Sequence, residues 1–216
     1  MNPMKKYSDV PVDQSKEFKD SGVILITDPR ADALLDKARK DKTDKKWMEE
    51  LIMEIPGAAT PEFCEQLIKR FEADNRKGSA RIGPTAKENK DIRDSTNLEM
   101  NLLPDWKPIV DDLRKMIYSR LPKYVDDIHI GLSKSLFTNG YDSSYTLMRY
   151  VPGSVGYTWH NDFLFDNFSK NKGVRTITWL FYLNDVDGGE TEFKYGRKIK
   201  CETGKLVFFP SCWSMV

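Results

Sequence analysis

Apolar positions recur at helical spacing from Phe63 onward: Phe63, Cys64, Leu67, Ile68 and Phe71 lie on one face of a helix. Thr60 supplies an N-cap, Pro61 suits the first helical position, and Glu62 places negative charge in the first turn. Gly78 offers a natural stop, so a helix is predicted from Thr60 towards that glycine. A second helix is predicted from Asp105 to Arg120, with Ile109, Leu113, Met116 and Ile117 on one face. Between them Ser79 to Ser95, charged and broken by Gly83-Pro84, reads as a loop.

The period changes after Ser144 to short runs separated by turn residues. Strands are predicted at Tyr145 to Val151, Arg175 to Asn184, Thr191 to Tyr195, Lys198 to Cys201 and Lys205 to Phe209. Pro152-Gly153, Asp187-Gly188-Gly189, Gly196 and Gly204 mark the turns. The two faces of the Arg175 strand differ. Ile177, Trp179, Phe181 and Leu183 form a wholly apolar face, while Thr176, Thr178, Leu180 and Tyr182 form a mixed one. That division suits a strand backed by helices on one side and facing a partly polar cavity on the other. Helices followed by closely spaced strands indicate an α+β fold whose second half is a sandwich or barrel.

The first 50 residues are polar and weakly patterned, with a short strand candidate at Val23 to Ile26 and a charged helix candidate at Ala31 to Lys42. The run Asp36 to Glu50 mixes both signs of charge and reads as a solvated helix or tail. At 216 residues the chain is expected to build one core, as a domain over 51–216 behind a polar extension over 1–50. Its formal charge of +1 gives no global electrostatic case for nucleic acid or an anionic membrane as partner. Cys64, Cys201 and Cys212 are odd in number and without paired spacing, which points to reduced thiols and a cytoplasmic location. The opening MNPMKKYSDV has no apolar stretch of the signal-peptide kind, and no run is long and apolar enough to span a bilayer.

One pair carries chemistry. In Trp159-His160-Asn161-Asp162 the histidine and aspartate are two residues apart, so on an extended strand both point to the same side. An imidazole and a carboxylate, completed by a distant histidine, form the facial triad of non-heme iron(II) oxygenases. A surface histidine beside a turn aspartate reads the same way in isolation, so the neighbourhood must decide.

That neighbourhood resembles the 2-oxoglutarate and Fe(II)-dependent dioxygenases, in their prolyl 4-hydroxylase-like branch. The matching pieces are YVPGSVGYTWHND (Tyr150 to Asp162), RTITWLFYLND (Arg175 to Asp185), GGETEF (Gly188 to Phe193) and the G-x-L-x-F-F-P run from Gly204 to Pro210. IPGAATPEFCEQLIKRFE (Ile55 to Glu72) resembles the opening helix of that branch, and DIRDST (Asp91 to Thr96) is a looser match; residues 1–50 take no part. The resemblance implies a double-stranded β-helix (jelly-roll) core backed by the N-terminal helices. It implies Fe(II) and 2-oxoglutarate as cofactors, with L-ascorbate a further candidate, and O2 as co-substrate. His160 and Asp162 would be iron ligands, and hydroxylation of a substrate, peptidyl-proline or another, would release succinate and CO2.

Tyr182 matches a strand tyrosine that donates a hydrogen bond to the far carboxylate of 2-oxoglutarate, and a core tyrosine capping a carbonyl is the other reading. Tyr150 matches a tyrosine lining the co-substrate pocket, with packing as its alternative. Tyr157 and Trp159 read as walls of the site, Arg175 as a strand-start arginine near the rim, and Ser79 to Ser95 as a candidate lid. Gly188-Gly189 needs only a backbone role, for tight turning and close approach. His129 would break the family order as a ligand, and Cys212 reads as a buried thiol.

In the family a distal histidine and, about ten residues on, a basic residue come after the G-x-L-x-F-F-P strand. Here the sequence reads FFPSCWSMV and stops. The expectation is a domain cut before the distal histidine, lacking its last strands and showing little or no turnover as a 216-residue chain. A non-catalytic jelly-roll binding module is the alternative from another class. A cupin-type metalloenzyme working without 2-oxoglutarate is a weaker one, since such proteins carry several histidines in the first motif.

Overall fold

The computed structural model describes residues 51–82, 87–127, 142, 144–160, 162, 175–193 and 197–211. The strand at Val23 to Ile26, the helix at Ala31 to Lys42 and the Asp36 to Glu50 run lie outside the described residues, as do Gly83-Pro84, His129, Gly196 and Cys212.

Helix α1 spans Pro61–Ala73, and the Phe63 N–H donates to Thr60 Oγ1 at 3.3 Å, as the capping residue requires. Cys64, Leu67 and Phe71 are buried. The helix ends five residues before Gly78. Asp74 takes extended backbone, and its carboxylate accepts from the Arg76 N–H at 2.9 Å, from Arg76 Nε at 2.9 Å and from Trp106 Nε1 at 2.8 Å. A short acid that bonds its own downstream backbone competes with helix continuation, and here it wins. Gly78 instead opens strand β2 (Gly78–Ser79), after β1 at Met53–Ile55.

The second predicted helix divides into a 3-10 turn at Pro104–Trp106 and α2 at Lys107–Tyr118. Trp106 is fully buried and sets the rotation of α2, so Val110, Leu113 and Ile117 form the buried face while Ile109 and Met116 are half-buried. A short helix α3 (Leu121–Asp127) brings Tyr124 inward, where its hydroxyl donates to the Leu51 carbonyl at 2.9 Å. Strand β3 is Thr96–Glu99 and β4 is Thr146–Arg149.

The C-terminal strands are β5 (Ile177–Phe181), β6 (Val186–Glu192), β7 (Lys198–Cys201) and β8 (Leu206–Pro210). Among the described residues all pairings are antiparallel, in sheets ordered β1-β8-β5 and β2-β3-β4 with a β6-β7 pair. β5 is shorter than its ten-residue prediction, although backbone bonds between Tyr182 and both Gly204 and Lys205 prolong its pairing. The expected turn at Gly188-Gly189 lies inside β6, where the register jumps between Val186↔Cys201 and Thr191↔Ile199. Gly188 has φ +82°, and a Cβ at Gly189 would lie 2.8 Å from Val186 Cγ1, so the glycines form a bulge with close backbone approach.

The alternation in β5 separates two cores. Ile177, Trp179, Phe181 and Leu183 pack on the helix-side cluster with Trp106, Val110, Leu113, Tyr124, Leu206 and Phe208. Leu180 and Tyr182 pack with Phe193, Ile199, Val207 and Phe209 on the opposite face. Helices on one face and antiparallel strands throughout make this an α+β fold. Along the second face lies Lys205, its side chain 4% exposed and its ammonium paired with Glu54 at 3.0 Å and Glu202 at 2.9 Å.

Candidate metal and co-substrate site

His160 and Asp162 meet. Nε2 of His160 lies 3.4 Å from Oδ1 of Asp162, and both side chains are mostly covered, at 17% and 20% exposure. The convergence was expected from an extended strand, but residues 158–160 and 162 belong to no named strand. Backbone pairing on either side substitutes for it. Tyr157 bridges Arg93, the Thr158 N–H donates to the Ile92 carbonyl at 2.8 Å, and the Asp162 N–H donates to the Ser211 carbonyl at 3.2 Å. Ser211 in turn donates its N–H to Thr176 at 2.9 Å, which ties the pair to the sheet beside β5 and β8.

The hydrogen bonds select a tautomer. His160 Nδ1 is 2.8 Å from the Thr158 carbonyl, and because a carbonyl only accepts, Nδ1 carries the proton. In the neutral ring Nε2 then presents a lone pair towards a carboxylate oxygen. Two acceptors facing each other call for a cation between them, and a backbone carbonyl on the remote nitrogen is the usual support of a metal-binding histidine. A separation of 3.4 Å is one that an ion about 2.1 Å from each atom can span, so the pair fits a divalent metal. Among the described residues no group of three or more His, Cys, Asp or Glu side chains gathers to hold one.

Asp162 stays ionised readily. Burial pushes its carboxyl upward, but the hydrogen bond and charge that His160 offers when its ring is protonated, the hydrogen bond from Thr178 and the charge of Arg175 bring it below the ordinary value. Thr178 Oγ1 also lies 2.9 Å from Ser211 Oγ. The Thr178 hydroxyl, on the mixed face of β5, therefore borders the carboxylate.

Tyr182 lies on that same face. Its hydroxyl donates to Thr191 Oγ1 at 2.5 Å, and burial pushes its pKa well above the ordinary phenol value, so it remains a donor at neutral pH. Thr178 and Tyr182 are four strand positions apart, about 13 Å along the backbone, so the metal pair and Tyr182 stand at opposite ends of one face. Tyr150, just past β4, is 41% exposed and near enough to Tyr157 to bear on its ionisation. Tyr157 stacks on His160 and is half-buried, whereas Trp159 is 55% exposed. Arg175 is half-buried near Asp162 and Tyr157.

Sequence reasoning missed Arg93, Thr158, Ser211 and Thr191 as contributors. Arg93, Thr158 and Thr191 fall inside the matching pieces DIRDST, YVPGSVGYTWHND and GGETEF, whereas Ser211 lies outside all of them.

Residues 145–214 match the profile of the 2OG-Fe(II) oxygenase superfamily. A prolyl hydroxylase from Trichoplax adhaerens, solved with a hypoxia inducible factor oxygen degradation domain peptide, is similar in fold with a TM-score of 0.53. The two are 16% identical, and the match covers 79% of this chain and 84% of that one. A Pseudomonas putida prolyl-4-hydroxylase gives a TM-score of 0.48 at 18% identity over 74% and 81% of the two chains. A viral collagen prolyl hydroxylase from Paramecium Bursaria Chlorella virus-1 gives 0.45 at 20% over 74% and 77%. No curated protein sequence matches the chain. Over residues 145–214 the chain is therefore similar in sequence to the 2OG-Fe(II) oxygenase superfamily, and its fold is similar to that of a prolyl hydroxylase.

Proposed function

We propose that the protein is an Fe(II) dioxygenase that couples decarboxylation of 2-oxoglutarate to hydroxylation of a substrate, with peptidyl-proline as the first candidate. One 2-oxoglutarate, one O2 and one C–H bond would give succinate, CO2 and an alcohol. The observation that carries this reading is His160 Nε2 facing Asp162 Oδ1 at 3.4 Å with Nδ1 committed to a backbone carbonyl. His160 and Asp162 would hold the ion. Bound Fe(II) supplies the redox chemistry that couples O2 to the co-substrate and the C–H bond.

The remaining roles belong to the chain. Thr178 and Ser211 hold the Asp162 end, through the hydroxyl bond to the carboxylate and the backbone bond from its N–H. Tyr182, kept protonated by burial, donates to the far carboxylate of 2-oxoglutarate in place of, or shared with, Thr191. Tyr150 lines the outer wall. The antiparallel pairs form parts of a double-stranded β-helix spanning a domain over 51–216, with 1–50 as an extension and the cytoplasm as its compartment.

Binding tests the reading without requiring turnover. Titrating 2-oxoglutarate into the chain with Mn(II), a redox-quiet stand-in, is expected to show metal-dependent affinity. His160→Ala and Asp162→Asn should each abolish the metal-dependent part while the circular dichroism spectrum is retained. Metal-dependent 2-oxoglutarate binding that persists unchanged in both variants would overturn the assignment.

A further inference from the structure

Residues 92–94 form a strap against the segment that carries the histidine. Arg93 and Tyr157 are bridge partners, the Asp94 N–H donates to the Gly156 carbonyl at 2.8 Å, and the Thr158 N–H donates to the Ile92 carbonyl at 2.8 Å. The carbonyl of that same Thr158 accepts the hydrogen bond from His160 Nδ1–H at 2.8 Å. One residue therefore joins the strap to the imidazole.

The side chains repeat the connection. The Tyr157 and His160 rings stack with centroids 3.4 Å apart and planes 17° from parallel. Arg93 Cζ lies 4.5 Å from the Tyr157 ring centroid. An imidazole at 3.4 Å fills one face of the phenol, which leaves the other to the guanidinium. Arg93 has no carboxylate partner among the described residues. Among those residues its guanidinium makes one hydrogen bond, from Nη2 to Met148 Sδ at 2.7 Å, and its buried Nε finds no acceptor. An unsatisfied buried N–H is costly, so a side chain serving only to fill space there would be better apolar. What the guanidinium supplies is a cation over a covered aromatic face.

We propose that Arg93 is a positioning residue: acting through Tyr157, it fixes the plane of the His160 ring and so the direction of the Nε2 lone pair relative to Asp162. Its consequence for metal affinity rests on the functional reading above; the ring placement itself does not.

The test uses Arg93→Met, Arg93→Lys, Tyr157→Phe and Tyr157→Leu. The chain has two histidines, so the His160 ring protons can be assigned by NMR in metal-free protein at fixed pH. The parent and Tyr157→Phe should show the ring-current displacement of a stacked imidazole. Arg93→Met and Tyr157→Leu should lose it, and Arg93→Lys should recover part. Co(II) affinity, read from tryptophan fluorescence, should fall about tenfold in Arg93→Met, as for other outer partners of metal ligands, and partly return in Arg93→Lys. Adding Arg93→Met to Tyr157→Leu should cost no further affinity. Unchanged ring resonances in Arg93→Met, or a fully additive double variant, would overturn the proposal. If Arg93→Met fails to fold, Arg93→Lys and Tyr157→Leu decide by the same readouts. A parent that binds Co(II) no better than His160→Ala, with ring resonances that still respond to Arg93, would remove the metal reading and leave the positioning in place.

Discussion

The Tyr182 hydroxyl donates to Thr191, which is only 8% exposed, so the pair is a covered hydrogen bond rather than a surface contact. Tyr182→Phe strips Thr191 of its donor and should destabilise the fold by about 1 kcal/mol in urea. The same variant should weaken 2-oxoglutarate binding at unchanged Mn(II) affinity, because Tyr182 stands at the other end of the face from His160 and Asp162. Equal losses of both affinities would remove Tyr182 from the co-substrate role. Tyr182 is legible in the sequence because a strand repeats every two residues, and alternation alone puts it with Thr176 and Thr178. His160 and Asp162 were legible as a motif, though they meet through pairings with Ile92, Arg93 and Ser211 rather than within one regular strand. Those partners are remote in sequence, and no local pattern encodes such a pairing.

Capping chemistry is local, so the start of α1 could be read from Thr60-Pro61-Glu62, but its end could not. Asp74 stops the helix through Arg76 and Trp106, and Arg76 also reaches Asp105, where Arg70 joins it. Hydrogen bonding to Arg76 is the largest influence on both carboxyls, holding Asp105 down to about 2 and Asp74 lower still. Depressed acids contribute stability that is fully present above their unfolded value near 3.8 and lost as pH falls towards the folded one. The urea midpoint should therefore drop between about pH 4 and pH 2, and the slope should flatten in Asp105→Asn. The turn before β8 makes a harder demand. Gly204 has φ +78°, and a Cβ there would lie 2.1 Å from the Ala59 carbonyl oxygen, whose own residue donates its N–H to the Gly204 carbonyl. Gly204→Ala should cost about 3 kcal/mol, roughly 1–2 from the left-handed conformation and the rest from displaced backbone. A calorimetric scan that leaves the melting temperature unchanged would contradict this.

Across the whole molecule, β8 is the shared wall of two cores, because it pairs with both β1 and β5 and turns alternate side chains to opposite faces. Phe208 faces the helices, is fully buried and stacks on Tyr124 with centroids 5.2 Å apart. Phe209 faces the candidate site and meets Phe193 edge-on at 5.2 Å. The two clusters differ greatly in size, so their loss should have different reach. Phe208→Ala opens a cavity where helices and sheet meet and should destabilise the whole domain by about 3–5 kcal/mol. Phe193→Ala removes an anchor of the β6-β7 pair, whose apolar link to the other strands is a small cluster, supplemented by the Thr191–Tyr182 bond, the Arg197–Glu54 ion pair and the bond from Lys205 to the Lys200 carbonyl. Elements held by few buried contacts open below the global unfolding free energy. Native-state amide exchange should then accelerate in residues 186–192 and 198–201 of Phe193→Ala, with little change in α2 and β3, whereas Phe208→Ala should raise exchange in all of them together. Uniform acceleration in both variants would mean that the two faces unfold as one unit and that the site has no separate mobility.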